Sequence, residues 1–502
     1  MTVAEPRWAF GALLKRHRLS AGLTHESLAE RAALSARTIS DLERGISRRP
    51  HRETVNLLIQ ALQLSPAERS ALETAVWAAA IRPPDSTTAG SHPGSLPVHL
   101  TSFVGREAEL RVAHDRLRRH GARLVTLTGP GGSGKSRLAV RVATDLMGEF
   151  RDGARYVELA PVAHGDDVLP AIASALGVAD ADGSAVLVDT IDAVRDREQL
   201  LVVDNFEHLL ASAPVLSALL RGCPGLVVMV TSRSSLQLSG EHEVPVPPLA
   251  VPPPLQNLAL EEIARFASVR LFVERAASIN PTFALRVDNA AAVAGICVRL
   301  DGLPLALELA AARTKMLTPQ ALLQRLDSAV SGSALRLLTR AARDVPPRQR
   351  TLSDTMMWSY NLLTPAEQRM LRRIAIFAGG CTLAAAEAVC ASDPSQTAAD
   401  VDPAHRVFDG LASLLDKSLV YLHAGPDGEQ RFMLLETIRE FGLAQLRANG
   451  ELETVARAHA QYYLRLIETT GALLFAQAPT QRRSAAEQHN LQDALRWLLH
   501  HD

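Results

Sequence analysis

Residues 129–136, GPGGSGKS, fit the spacing G-x-x-x-x-G-K-[ST], and this stretch constrains the fold more tightly than any other. Its flanks decide what it means. Upstream, residues 123–128 (RLVTLT) form a short β-branched run, which predicts a strand; downstream, residues 136–146 (SRLAVRVATDL) carry apolar residues at helical spacing. The small residues between them let backbone N–H groups turn inward around an anion, and the helix directs its positive end at the same point. Strand, loop and helix in this order read as a phosphate-binding loop. Lys135 is then placed to reach the β- and γ-phosphates, and the Ser136 hydroxyl to sit on Mg²⁺. A bare glycine-rich surface turn is the alternative, and the Lys-Ser pair at the mouth of a helix argues against it.

Such a loop belongs to a doubly wound α/β sheet, and the chain supplies more strands for one. Residues 154–159 predict one. Residues 200–203 (LLVV) predict a strand buried on both faces that delivers Asp204 to the carboxyl edge of the sheet, where Mg²⁺ sits. The next residue is Asn205, so a second carboxylate directly after Asp204 is missing, and Glu207 lies at a different register. Slow turnover, suited to a switch more than a motor, is the expectation. Residues 226–230 form a further buried run that ends in Thr231-Ser232-Arg233. Residues 244–254 contain six prolines and should close the domain.

At 502 residues the chain has room for about three or four domains. Its formal net charge of −1 means that any nucleic-acid contact must come from a local patch. The four cysteines, Cys223, Cys297, Cys381 and Cys390, form no C-x-x-C pair and no metal-ligand spacing, which predicts buried thiols in a reducing, cytoplasmic setting. Residues 1–20 carry charges at helical spacing in place of an apolar leader segment, and no charge-free apolar run is long enough to span a bilayer. Neither secretion nor a membrane partner is expected.

The first eighty residues read as all-α. Residues 10–20 predict one helix, Thr24 caps a second that runs to residue 32, and Ser35 caps a third over residues 36–44 that Gly45 stops. Two short helices across a three-residue turn outline a helix-turn-helix. Helices over 53–64 and 66–80 follow, the latter opened by the capping box Ser65-Pro66-Ala67-Glu68. Residues 1–60 hold ten Lys/Arg against six Asp/Glu, with Arg44, Arg48, Arg49 and Arg52 clustered after the third helix. A small helical bundle without nucleic acid is the competing reading. Residues 82–97 (RPPDSTTAGSHPGSLP) then predict a mobile linker.

The segment GLTHESLAERAALSARTISDLERG resembles the XRE family of DNA-binding domains along its full length. The resemblance places Ala36, Arg37, Thr38 and Asp41 against base edges of double-stranded DNA, with Arg37 the residue suited to guanine O6/N7. It makes His25, Arg48, Arg49 and Arg52 phosphate contacts, which position without specifying.

The segment Phe103-Val104-Gly105-Arg106-Glu107, taken with the phosphate loop, resembles the entry motif of the STAND class of NTPases, the NB-ARC-like group. What this implies for ATP or ADP and Mg²⁺ is a nucleotide site at Val104, Arg106, Gly129, Gly131, Gly132, Ser133, Gly134, Lys135, Ser136 and Arg137, completed by Thr231, Arg233 and Pro304. Lys135, Asp204 and Arg233 carry whatever hydrolysis occurs, Ser136 and Asp204 hold the metal, and Arg233 reads the γ-phosphate. Gly302-Leu303-Pro304-Leu305 resembles the group's G-L-P-L motif, whose proline packs on the base. The group's winged-helix M-H-D signature aligns with Leu434-Leu435-Glu436, so Leu435 stands where many members hold ADP with a histidine.

The resemblance thus implies a multidomain chain: an all-α helix-turn-helix head (1–80), a linker (81–99), a doubly wound P-loop domain (100–250), a helical domain (255–340), a winged-helix domain (345–445) and the start of TPR-like α-solenoid repeats (450–502). The chain stops within what looks like a first repeat, so a sensor is expected on a separate protein, as a ligand, or in repeats beyond this sequence. The function implied is a nucleotide-switched transcriptional regulator that self-associates with ATP. A defence or stress NTPase whose head binds protein, or DNA without sequence preference, stays open, as does a metabolic P-loop enzyme, for which no substrate motif was found.

Overall fold

The computed structural model describes residues 9–32, 34–43, 52–62, 94–118, 121–178, 186–253, 258–327, 338, 351–391, 403–425, 428–471 and 487–501. It divides into two compact units, residues 1–90 and 91–502.

In the first unit the helices are Ala9–Ser20, His25–Ala32, Ala36–Glu43 and Arg52–Leu62. The Ser35 hydroxyl accepts from Thr38 N at 3.0 Å and Thr24 Oγ1 accepts from Ser27 N at 3.2 Å, so both predicted caps form. Leu14, Leu28, Ile39, Leu42 and Leu58 are buried together and hold the helices in one bundle. The predicted helix over 66–80 lies outside the described residues, as do Arg44, Arg48 and Arg49 and linker residues 82–93.

The second unit is built on a five-stranded sheet in the order β2-β3-β4-β1-β5, with β1 Leu124–Thr128, β2 Ala154–Glu158, β3 Gln199–Asp204, β4 Leu226–Thr231 and β5 Glu241–Pro245. Every pairing is parallel, so all the strands deliver their carboxyl ends to one edge. Along β3, Leu200 and Val202 face one apolar layer with Val125 and Leu138, while Leu201 and Val203 face the other with Phe206 and Leu216. Burial on both faces is why this strand reads as an uninterrupted apolar run. The proline-rich closure contains a strand that the sequence reading missed: β5 ends on Pro245 at the sheet edge, where a missing N–H costs no ladder bond.

The last linker residues are anchored, in contrast to the mobile segment expected. Gly94 O accepts from Tyr156 N at 2.8 Å at the β2 edge, and Leu96 packs against the core beneath the phosphate loop.

Beyond the sheet the chain is mainly helical. Helices Leu260–Ile263 and Ala267–Ile279 come first, followed by Val287–Arg299, Pro304–Ala311 and Pro319–Asp327. Gly302 joins this region to the sheet: its φ is +65°, and a Cβ there would stand 2.1 Å from Leu249 O. No other residue fits that approach without displacing backbone.

The remainder holds helices Leu352–Asn361, Pro365–Ile374, Leu383–Cys390 and Pro403–Asp416, an antiparallel hairpin of β6 Tyr421–Ala424 and β7 Gln430–Met433, and helix Glu436–Ala448. Thr364 and Glu367 form a capping box, Thr364 N donating to Glu367 Oε2 at 2.8 Å. Helices Leu452–Gly471 and Gln488–His501 pack as a pair. One continuous core runs from Leu249 to Ala494, so the helical, hairpin and terminal segments share a single apolar interior. All four cysteines are free and buried.

Candidate nucleotide site and DNA-facing helix

The phosphate loop leaves β1 with Gly129, Gly132 and Gly134 at φ of +152°, +81° and +93°, conformations that side chains resist. Its outer face is covered closely. A Cβ at Gly131 would lie 3.0 Å from the Arg233 guanidinium, and one at Gly132 would lie 3.1 Å from Leu305 Cβ. Leu305 N also reaches Gly132 O at 3.3 Å. The G-L-P-L segment therefore touches the loop through backbone, and Pro304 begins its helix at the cavity rim.

Lys135 is buried and folds back on the loop, its Nζ donating to Gly129 O at 2.8 Å and Pro130 O at 3.1 Å. Burial pushes its ammonium down to about 8, against the attraction of Glu207. The Ser133 hydroxyl is fully buried and has no hydrogen-bond partner among the described residues. An ammonium, a set of inward-turned glycines and an uncommitted hydroxyl suit a polyphosphate.

The entry motif holds the loop from outside. Gly105 and Arg106 both adopt φ of +73°, and this reversal turns Arg106 inward to donate to Ser133 O at 2.8 Å and to Glu109 at 2.8 Å. Arg137 is spent in the same way, donating to Ser102 O at 2.7 Å and pairing with Glu308 at 3.3 Å. Both arginines are lowered by burial from their usual range. They brace the site as much as they face it.

These parts enclose a cavity of about 190 Å³ whose walls come from Phe103 and Val104, the phosphate loop, Asn205, Glu207 and Arg233, Pro304 and Glu308, and Thr355 and Trp358. Asp204 and Thr231 lie behind this wall, both buried. Asp204 is held from three sides: Tyr156 Oη donates at 2.7 Å, Asn205 Nδ2 at 2.8 Å, and Thr231 Oγ1 closes the third contact. The T-S-R segment thus fixes the carboxylate as well as presenting Arg233.

Seven residues at the site escaped the motif reading. Arg275 bonds Glu308 at 3.0 Å and Ser102 O at 2.8 Å; Thr355 and Trp358 come from a helix not predicted at all; Leu249 and Leu271 line the apolar side. Arg275 left a signal, since it falls on the buried stripe that Val269 and Phe272 begin. Glu308 is likewise the one charged residue in the helix PLALELAA. Trp358 left none.

Leu435 does not line this cavity. It is buried in the shared core at the N-terminus of helix Glu436–Ala448. The alignment of Leu434-Leu435-Glu436 with a nucleotide-facing signature is therefore corrected: Asp301 caps that helix, accepting from Thr437 N at 3.1 Å, and side chain 435 faces apolar neighbours.

In the first unit Thr38 is partly exposed near the start of helix Ala36–Glu43, its hydroxyl shared with Ser35 at 2.8 Å. The side chains of Ala36, Arg37, Asp41 and Arg52 lie outside the described residues. His25 is already engaged, its Nε2 2.9 Å from Glu43 Oε2, and Arg18 donates to both Glu43 oxygens. An imidazole committed in this way is oriented by the fold before any phosphate approaches.

A helix-turn-helix domain model matches residues 9–72 and an AAA domain model matches residues 118–243. The Mycobacterium tuberculosis protein Rv0894 is 38% identical over 369 residues, covering 72% of this chain and 86% of its own. The chain belongs to this family. A second M. tuberculosis relative, named "Putative HTH-type transcriptional regulator Rv0890c", is 38% identical over 75% of this chain and 40% of its own length. The regulatory protein AfsR of Streptomyces coelicolor is 30% identical over 69% and 33% respectively. This chain thus joins a helix-turn-helix to an AAA-type P-loop domain. Among the described residues no helix is long and apolar enough to cross a membrane.

Proposed function

We propose that this chain is a cytoplasmic, nucleotide-switched transcriptional regulator of the STAND type, in which ATP binding rearranges the second unit and promotes self-association. One observation carries the reading. The cavity wall is shared between the sheet (Lys135, Glu207, Arg233), the following helices (Pro304, Glu308) and the region beyond (Thr355, Trp358). A ligand lodged at such a seam interacts differently with each relative placement of the three parts, and that differential affinity shifts a conformational equilibrium.

The residues take the following parts. Lys135 holds the terminal phosphates, Ser133 and the loop N–H groups hold the others, and Val104 and Pro304 flank the base. Ser136 and Asp204 would hold Mg²⁺, which would supply charge neutralisation; the three donors on Asp204 keep its carboxylate oriented. Thr231 and Arg233 sense the γ-phosphate. Double-stranded DNA is read by Arg37, Ala36, Thr38 and Asp41 and gripped by His25, Arg48, Arg49 and Arg52. Gathering several heads raises their effective concentration at adjacent half-sites, so avidity couples nucleotide to DNA. The signal enters through a separate sensor protein, a ligand, or repeats beyond this sequence.

The test is particle mass and operator affinity with ATP and with ADP. ATP should raise both, and ADP neither. An unchanged mass with ATP sinks the switch. Equal affinity for matched and scrambled DNA would instead favour a head that binds without sequence preference.

A further inference from the structure

We propose that Glu207 is the carboxylate that orients and deprotonates the water attacking the terminal phosphate of a bound nucleoside triphosphate. The proposal rests on the reading of the cavity as an ATP site and adds the group that the reaction would otherwise lack.

Backbone geometry puts Glu207 there. At the end of β3, Asn205 adopts φ +66°, and this left-handed residue reverses the chain into a short turn over Phe206–His208. Phe206 enters the core, fully buried, and Glu207 lines the cavity beside the phosphate loop. The reversal is what moves the useful carboxylate from the position after Asp204 to the third residue beyond it.

The hydrogen bonds separate the roles of three neighbouring side chains. Asp204 accepts from Tyr156, Thr231 and Asn205, so it has little capacity left to take a proton. Asn205 spends its amide on Asp204. Glu207 differs from both. Its side chain is only 7% exposed; Oε1 accepts from Arg233 Nε at 3.3 Å, and Oε2 is buried with no hydrogen-bond partner among the described residues. A carboxylate oxygen buried in a cavity wall, with its twin anchored, is oriented without being consumed. A water hydrogen-bonded there would gain a base within reach of the phosphate that Lys135 is placed to hold.

Arg233 sets the orientation. Its guanidinium lies 4.8 Å from the Trp358 ring centroid, so an aromatic face from beyond the sheet steers the arginine that anchors Glu207. Arrangement of that later region thereby governs whether the carboxylate is aimed.

In the step itself, a lone pair on the water oxygen forms the new bond to the terminal phosphorus. The bond from that phosphorus to the bridging oxygen breaks, and its electron pair leaves with the diphosphate. The water proton passes to Glu207 Oε2 and from there to solvent or to the released phosphate. Water is the sole co-reactant.

The experiment compares the full chain with its Glu207→Gln variant, measuring binding of a fluorescent ATP analogue and hydrolysis of ATP under single-turnover and steady-state conditions. The variant keeps shape and loses the base, so kcat should fall about 100-fold or more while KM and analogue affinity stay within about threefold. A rate within threefold of the parent overturns the proposal, as does a parent that binds ATP without hydrolysing it. A parent that fails to bind ATP overturns the nucleotide-switch reading itself, which keeps the two failures apart. If Glu207→Gln loses nucleotide binding, Glu207→Asp decides: it retains the charge but withdraws it by one methylene, so it should bind and hydrolyse at least tenfold more slowly. A parental rate in Glu207→Asp overturns the proposal.

Discussion

The head draws its expected DNA-facing residues from one short stretch, Ala36 to Arg52 with His25 beside it, whereas the cavity of the second unit gathers its walls from Ser102 through Trp358. The first surface belongs to one local motif, set by two capped helices and a tight turn. The second exists only when sheet, helices and hairpin region are packed together. A local surface survives changes elsewhere in the chain, while a surface assembled from distant segments reports on their arrangement. On the proposed function, this division separates recognition from switching.

The largest effect expected from breaking this division is at Lys135. Lys135→Ala removes the buried ammonium beside Gly129 O and Pro130 O, with the loss of charge-assisted bonds worth about 3 kcal/mol to a phosphate, or roughly 100-fold in affinity. DNA binding without nucleotide should be unchanged. Isothermal titration with ATP and a DNA mobility shift check both halves, and equal ATP affinity in variant and parent would remove the phosphate-loop reading.

The reciprocal change is Glu43→Ala in the head. Arg18 and Glu43 are 6% and 5% exposed, and removing one partner leaves a buried guanidinium uncompensated, at a cost of about 3 kcal/mol. Burial by itself would push the Glu43 carboxyl up, but the hydrogen bonds from Arg18 and His25 outweigh it and hold it below its usual range. Its folded pKa is depressed, so the stabilisation is present above the unfolded value and is lost as pH falls through the folded one. DNA binding and amide-exchange protection of the head should be lost together, with ATP affinity intact. A fall in ATP affinity would show that the two units are not separable in this sense.

A pH titration tests the cavity more gently. The folded-state pKa of Lys135, about 8, lies below its ordinary 10.5, so between these values the folded chain binds fewer protons than the unfolded one and its stability rises with pH. Phosphate binding needs the ammonium, so affinity should move in the opposite direction, falling about tenfold per unit over about pH 8 to 10. Measured at constant ionic strength, a flat profile would mean that Lys135 remains charged in the free protein.

The same contrast governs what was legible in the sequence. Glycine spacing, β-branched runs and capping residues are local, and they located the phosphate loop, β1 to β4 and the first four head helices to within a residue or two. The fifth strand was hidden because Pro245 reads as a breaker, while at a sheet edge it costs nothing. Glu207 was seen but set aside because of its register, since a left-handed Asn205 cannot be inferred from one sequence. Leu435 was misplaced because a signature aligned by position says nothing about which side of a helix start faces the cavity. Trp358, which meets Arg233 from 125 residues away in the chain, depends wholly on tertiary packing.

The smallest expected effects belong to the head, and they test whether its surface is as local as the comparison requires. Arg37 lies in the first turn of helix Ala36–Glu43, where a guanidinium can bond bidentately to one guanine; Arg49 follows the helix and is expected on phosphate. Arg37→Ala should therefore cost about 1–3 kcal/mol on the matched operator and relax preference at one base pair, with little change on scrambled DNA. Arg49→Ala should weaken matched and scrambled DNA alike and lower the slope of log affinity against log salt by about one. The two profiles are separable because one contact is to a base edge and the other releases a counterion. Binding measured on both DNAs at several salt concentrations distinguishes them, and identical behaviour of the two variants would mean that the helix after Ser35 does not enter the major groove.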